Sequence, residues 1–281
     1  MIAVCPNPFR DLELKITREA VRLLEDAGFE TAICPVFADE EPEVIPADLS
    51  VHKLGELAGK CSLAIVVGGD GTILSVARTL HDTAIPLLGV NLGTKGFMAY
   101  LEPEELSHII PAARGEYRLS RRMLLNVELW REGACIHRDL ALNDAVLHGY
   151  GEVIQTTAFC KGDRITSFSG DGIILSTPTG STGYSMSAGG PIVEPEAENI
   201  LISPICAHTM VARTFVLGPN SEVSVKAEKL HGRRAYLSVD GYQVADLANG
   251  DIVTVSRSEH SIPMVNPDLR SFYEMAYEKL T

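Results

Sequence analysis

Residues 68–72, Gly68-Gly69-Asp70-Gly71-Thr72, set three glycines around one acid directly after the apolar run 63–67. Ile73, Leu74, Val76, Ala77 and Leu80 then recur at helical spacing, so the chain reads strand, glycine turn, helix. Such a turn presents bare backbone N–H groups and the positive end of a helix dipole, and both suit a phosphate. Gly68, Gly69, Gly71 and Thr72 are therefore the candidate phosphate-binding residues. Asp70 opposes that reading, because a carboxylate repels a phosphate. The conflict disappears if a magnesium ion and an attacking hydroxyl lie between them. Asp70 then receives the hydroxyl proton as the general base of a phosphoryl transfer. The other reading of the turn is tight strand-to-helix geometry, with the acid as a dipole partner.

Two further places carry chemistry. Residues 169–191, SGDGIILSTPTGSTGYSMSAGGP, are dense in glycine and small hydroxyls and include Asp171 and Tyr184. A turn-rich β surface would explain the glycines but not their company, and a nucleotide or sugar contact surface explains both. Asn143-Asp144 follows the apolar LAL of 140–142; alone, such a pair signals a turn as readily as a site.

Several classes fall away. There is no G-x-x-x-x-G-K-[ST] loop, no H-R-D loop, and no G-x-G-x-x-G after the first strand. The net charge of −13 excludes nucleic acid as the main partner, since phosphate backbones need a basic face. It also means that any bound anion must be held by local N–H groups, a metal ion or a few basic residues. Arg121-Arg122 and Arg233-Arg234 are the obvious basic pairs, and His148 and His208 are weak candidates near the suspected site. Six scattered cysteines include no C-x-x-C, so neither a zinc site nor a redox motif is signalled and no residue is assigned as a resident metal ligand. Free, scattered cysteines, a start without a basic n-region, and no membrane-length apolar run lead us to expect a cytoplasmic protein with no membrane partner.

The elements that must position these residues change type along the chain. Expected strands at 2–5, 31–36, 63–67 and 85–91 alternate with helices at 12–27 and 73–80, which implies a parallel α/β sheet with ligands beyond the carboxyl ends of its strands. The acidic stretch 37–50 reads as a surface loop. From about Ser120 the pattern becomes short β segments and turns, with alternating strands in SEVSVKAE, RAYLSVDG and GDIVTVSRS. The closing DLRSFYEMAYEKL is a short amphipathic helix. The expected fold class is thus α/β followed by all-β.

Taken together, GGDGT (68–72), NLGTKGF (91–97), ND (143–144), DGIILSTPTGSTGYSMSAGGPIVEP (171–195), PICAHTMVART (204–214), SVDG (238–241) and GDIVTV (250–255) resemble bacterial NAD kinases over nearly the whole chain. The 171–195 segment is highly specific, whereas GGDGT also occurs in lipid and sugar kinases. The resemblance implies a Rossmann-like domain over 1–118, a stacked β-sheet domain over 119–264, and a helix over 265–281 returning to the first domain. It implies metal-dependent transfer of the γ-phosphate of ATP, or of polyphosphate, to the 2′-hydroxyl of the adenosine ribose of NAD. Asp70 would be the base, and Asp70, Gly71 and Phe97 would line the adenosine end. Asn143 and Asp144 match the family's Asn-Glu pair for adenine and ribose. The loop from Thr182 through Gly183 and Tyr184 to Ser187 would wrap the dinucleotide. Asp171 matches an acid at the nicotinamide end, often supplied by a neighbouring subunit, so a homo-oligomer, dimer or tetramer, is expected. Ser169 stands where some members carry Arg, and a small neutral residue there leaves room for NADH as well as NAD. The chain departs from the family at Asp144 for Glu, Gly183 for Ala, Ala207 for Pro, Thr214 for Pro, and Tyr242 for Gln. Another GGDG-type kinase and a non-catalytic NAD-binding sensor remain the alternatives.

Overall fold

The computed structural model describes residues 1–37, 44–93, 96–209 and 212–281. Residues 38–43 of the expected acidic loop, 94–95 of NLGTKGF and 210–211 of PICAHTMVART lie outside the described residues. The chain divides into two compact units, 1–121 with 262–281, and 122–261.

The first unit is built on a parallel sheet. Strands β1 (Ile2–Pro6), β2 (Thr31–Ile33), β3 (Leu63–Gly68) and β4 (Leu87–Asn91) lie in the order β2-β1-β3-β4. Every residue of β1, β3 and β4 is buried, as expected of a parallel sheet covered on both faces. Ile2 pairs with both Thr31 and Leu63, and Ile65 with Leu88. At Gly89 a Cβ would lie 2.8 Å from the Ala99 Cα and from Ile73 Cδ1, so only glycine lets the chain after β4 fold back this closely. Helix α1 (Lys15–Asp26) starts three residues later than its spacing suggests. Glu13 and Leu14 take positive φ of 56° and 53°. The Asp11 carboxylate instead caps the helix from upstream, accepting from the N–H groups of Ile16 and Thr17 at 3.0 and 2.9 Å and from the Thr17 hydroxyl at 2.7 Å. Helix α2 (Asp70–Leu80) buries Ile73, Leu74, Val76, Ala77 and Leu80. Helix α3 (Phe272–Leu280) opens with a capping box between Ser271 and Glu274. It belongs to this unit, with Met275 buried, Lys279 beside Glu102 at 3.8 Å and Arg270 paired with Glu105.

The second unit stacks two antiparallel sheets. Its strands are β5 (Arg118–Arg131), β6 (Ala134–Ala141), β7 (Asp144–Gly149), β8 (Ile154–Cys160), β9 (Asp163–Gly170), β10 (Gly172–Ser176), β11 (Ile200–Ile205), β12 (Phe215–Leu217), β13 (Val223–Glu228), β14 (Ala235–Val239), β15 (Tyr242–Leu247) and β16 (Ile252–Asn266). One sheet runs β12-β11-β10-β7-β14-β15; in the other, β16, β13, β8 and β9 are successive neighbours. β5 and β16 run past the unit's limits, and Met264 near the end of β16 pairs with Leu87 of β4. Period-two alternation sends Ala145, Leu147, Ile173, Leu175, Leu237 and Val239 from the first sheet into one core with Ala158, Val223, Val225, Val253 and Val255 from the second. Among the described residues no helix is long and apolar enough to cross a membrane.

Candidate active site

In the first unit the candidate site is the turn between β3 and α2. Gly69 caps the helix in extended conformation, and no side chain caps its N-terminus. Asp70 is the first helical residue. Its carboxylate accepts the backbone N–H of Phe97 at 2.9 Å and of Met98 at 3.1 Å. These two bonds fix the orientation of the carboxylate from a segment 27 residues away. Gly96 makes the approach possible, because a Cβ there would lie 2.9 Å from Asp70 Oδ1 and 3.1 Å from Asn91 Oδ1. Asn91, itself buried, accepts the Gly93 N–H at 3.0 Å and donates to Glu102 at 3.1 Å, which pins the start of the same loop.

Of the four candidate phosphate-binding residues, Gly71 is exposed and Gly69 half-buried. Gly68 and Thr72 are buried. A Cβ on Gly68 would overlap the Thr72 side chain, and the Thr72 hydroxyl accepts from the Asn7 amide at 3.1 Å. The Thr72 side chain is thus packed into the turn's own framework. Phe97 is 6% exposed, so its tie to the site is the backbone bond to Asp70. A basic residue that motif reading did not single out stands beside the turn. A Cβ built on Gly93 would sit 3.9 Å from both the Arg10 guanidinium and the Gly69 Cα. These groups therefore border one space at the ends of β1, β3 and β4. Arg10 is exposed and makes no ion pair with any described residue.

In the second unit, alternation places the complementary residues on the face of the β7 sheet that points away from the core. Asp144 is opposite Ser176, Val146 is flanked by Ile174 and Ser238, and His148 is flanked by Gly172 and Tyr236. Asp144 is 6% exposed. Burial, and secondly the neighbouring Asp240 charge, push its carboxyl up to about 7. Around it three buried polar atoms, Asn143 Oδ1, Ser176 Oγ and Thr179 Oγ1, have no hydrogen-bond partner among the described residues. Orphaned buried polar atoms carry a desolvation penalty until something bonds them. Such atoms beside a raised carboxyl make this a candidate for the polar end of a ligand site.

The loop after β10 is locked to this spot. Thr177 donates through its hydroxyl to the Leu142 carbonyl at 2.6 Å, and its N–H reaches the Asn143 carbonyl at 2.9 Å. Gly180 lies so close that a Cβ would be 2.9 Å from the Asn143 Cα. The Thr182 hydroxyl donates to the Thr179 carbonyl at 3.2 Å, and the Gly183 N–H to the Gly180 carbonyl at 3.0 Å. Tyr184 is 40% exposed. Its phenol is raised by burial first, then by Tyr236, Cys206, Asp171 and Asp144. Asp171 is half-buried, and its carboxylate beside the Cys206 thiol raises that thiol. Ser169 and Ser187 are exposed. Of the basic pairs, Arg122 is buried, Arg233 donates to the Val153 carbonyl, and Arg234 stacks 4.9 Å above the Tyr150 ring, which itself packs on Tyr236.

Residues 2–114 match the ATP-NAD kinase N-terminal domain and residues 143–267 the ATP-NAD kinase C-terminal domain. The chain belongs to the NAD kinase family. These are phosphotransferases with an alcohol group as acceptor. The NAD kinase of Ruminiclostridium cellulolyticum is 31% identical over 282 residues, covering 99% of this chain and 97% of the relative. That of Aquifex aeolicus is 40% identical over 221 residues, covering 78% and 80%. Among solved structures, yeast NADH kinase complexed with NADH superposes with a TM-score of 0.85 at 25% identity, covering 99% of this chain and 86% of that one. An NAD kinase from Archaeoglobus fulgidus in complex with ATP gives 0.75 at 25% identity, covering 100% and 98%. Nothing in these matches favours a lipid kinase, a sugar kinase or a non-catalytic sensor.

Proposed function

We propose that the protein transfers the γ-phosphoryl group of ATP to the 2′-hydroxyl of the adenosine ribose of NAD, giving NADP. The observation that carries this reading is Asp70. It is a carboxylate at the first position of a helix, on a glycine turn, steered by two backbone N–H groups. In the proposed reaction Asp70 accepts the 2′-hydroxyl proton, the ribose oxygen bonds to the γ-phosphorus, and the bond to the ADP oxygen breaks. The N–H groups of Gly69 and Gly71, at the start of the helix, meet the phosphate oxygens. Asn143 and Asp144 hold adenine and ribose, the loop through Thr182, Gly183, Tyr184 and Ser187 encloses the dinucleotide, and Asp171 serves the nicotinamide end.

Among the described residues no three His, Cys, Asp or Glu side chains converge as a metal cage. A magnesium ion that travels on the ATP phosphates needs only one or two protein carboxylates, and Asp70 fits that need. Such an ion would draw off charge on the transferring group. Purified protein with ATP, magnesium and NAD should form NADP, read by a coupled NADP-specific dehydrogenase. The same assay with NADH tests the room left at Ser169. Absence of phosphorylated product from both acceptors overturns the reading.

Arg10 supplies the positive charge that a −13 chain must place locally. Arg10→Ala should lower kcat/KM for ATP about tenfold, near the low end of what a hydrogen bond to a charged group is worth. Its Kd for NAD should stay within about twofold of wild type, because the residue faces the phosphate end. Steady-state kinetics with ATP varied checks this, and an unchanged value removes Arg10 from the donor site.

We further propose a homo-oligomer in which Asp171 of one subunit completes a neighbour's site. Closed symmetry would then repeat the shared site once per chain. Mixing inactive Asp70→Asn with inactive Asp171→Ala under subunit exchange should restore activity, since some sites regain both native residues. A fully active monomer by light scattering, or exchanged mixtures that stay inactive, would sink the idea.

A further inference from the structure

Asp240 lies in the two-residue turn between β14 and β15, with φ of 49°, followed by Gly241 at 84°. Its carboxylate does not face outward as a turn residue's usually does. Oδ2 accepts the Leu142 N–H at 2.8 Å, and Oδ1 accepts the N–H groups of Asn143 at 2.7 Å and Asp144 at 3.1 Å. The Asp240 N–H returns the grip, donating to the Asp144 carbonyl at 2.9 Å. Three consecutive N–H groups converging on one anion form the kind of backbone nest that elsewhere cradles a phosphate. Here a carboxylate from 96 residues away fills it.

We propose that Asp240 is the positioning residue of the dinucleotide site, clamping residues 142–144 so that the Asn143 and Asp144 side chains face the acceptor. The proposal rests on the reading that Asn143 and Asp144 bind NAD. The clamp sets the direction of both side chains, while Thr177 holds the same segment only through the Leu142 and Asn143 carbonyls. Asp240 also acts electrically. It is the charged group that opposes ionisation of Asp144 after burial itself. From the other side, β10 offers the uncharged Ser176. The Tyr184 phenol, which feels Asp144, is held neutral by its raised ionisation. Removing the Asp240 charge should therefore let Asp144 ionise at lower pH.

Asp240→Asn tests both effects. The amide keeps the shape, but one of its ends must present N–H to a backbone N–H. The expected result is a KM for NAD raised at least tenfold with kcat changed less than threefold. The midpoint of the pH dependence of NAD binding should also move to lower pH; because water admitted by loosening would move it the same way, the charge-restoring variant separates the two causes. Asp240→Glu, which restores the charge but not the reach, should return the midpoint toward wild type while KM stays high. A KM within twofold of wild type together with an unmoved midpoint overturns the proposal. If wild-type protein neither binds nor phosphorylates NAD, the underlying reading fails instead. Should the variants not fold, hydrogen exchange on the wild-type protein decides: strong protection at all three amides of 142–144 supports the clamp, and rapid exchange there refutes it.

Discussion

Asp70→Asn is expected to lower kcat by about 10²- to 10⁴-fold, the usual worth of a positioned general base. The size of the side chain is unchanged, so turn and helix should persist. The chemistry is not, because an amide does not take the hydroxyl proton at neutral pH. The variant has a second, smaller consequence. Both carboxylate oxygens now accept backbone N–H groups, one from Phe97 and one from Met98. An amide has only one acceptor end, so one of those N–H groups meets an NH2. An unsatisfied backbone donor costs about 1–3 kcal/mol when buried, so chain-folding stability should drop modestly while the dinucleotide still binds. Single-turnover kinetics separates the effects: the phosphoryl-transfer step should collapse while the Kd for NAD shifts by a few-fold at most. A variant with near-normal turnover would remove Asp70 from the role of base.

The parts of this fold that were legible in the sequence are those decided locally. The run 63–67 into Gly68-Gly69 reads as strand and turn because five apolar residues cannot be left in water and paired glycines interrupt such a run. β7 was less legible: Asn143-Asp144 alone signals a turn as readily as a site, and the structure is what shows Ala145 and Leu147 alternating with Asp144 and His148. What stayed hidden depends on partners far along the chain. Leu12 fits the period of α1, yet the helix begins at Lys15 because Asp11 grips the N–H groups of Ile16 and Thr17. Thr72 looks like a phosphate hydroxyl by spacing, and the sequence does not show that its oxygen also accepts from the amide of Asn7, 65 residues earlier. Asp240-Gly241 is a strong hairpin signal, and that local meaning concealed the carboxylate's bonds to residues 142–144. Arg10 sat behind PNP, which reads as punctuation between elements.

Asp144 carries the remaining prediction, and it sets function against stability. Its carboxyl lies at about 7, above the ordinary 3.8, because burial first and Asp240 second penalise the charged form. The native state therefore holds a proton that the unfolded chain releases between about pH 4 and 7. A group with its folded pKa raised favours the native state below the unfolded pKa, and that support is lost as pH rises through the folded pKa. Asp144→Asn carries no charge at any pH. It should match wild type near pH 4 and be more stable at pH 8 by at least about 1.4 kcal/mol, the worth of a single pKa unit. Urea unfolding of the ligand-free protein at both pH values measures this, and equal stabilities at pH 8 would refute the burial account. Binding should run the other way. Ribose hydroxyls donate best to an ionised carboxylate, so NAD affinity should rise as pH passes about 7, with a proton released on binding. Asp144→Ala should weaken NAD binding by roughly 1.5–3 kcal/mol, the range for a hydrogen bond to a charged group, whereas Asp144→Glu should remain active. Calorimetry in buffers of different ionisation enthalpy counts the released proton. If Ala binds NAD as well as Asp does, the ribose contact does not belong to this residue, and its strained burial would need another reason.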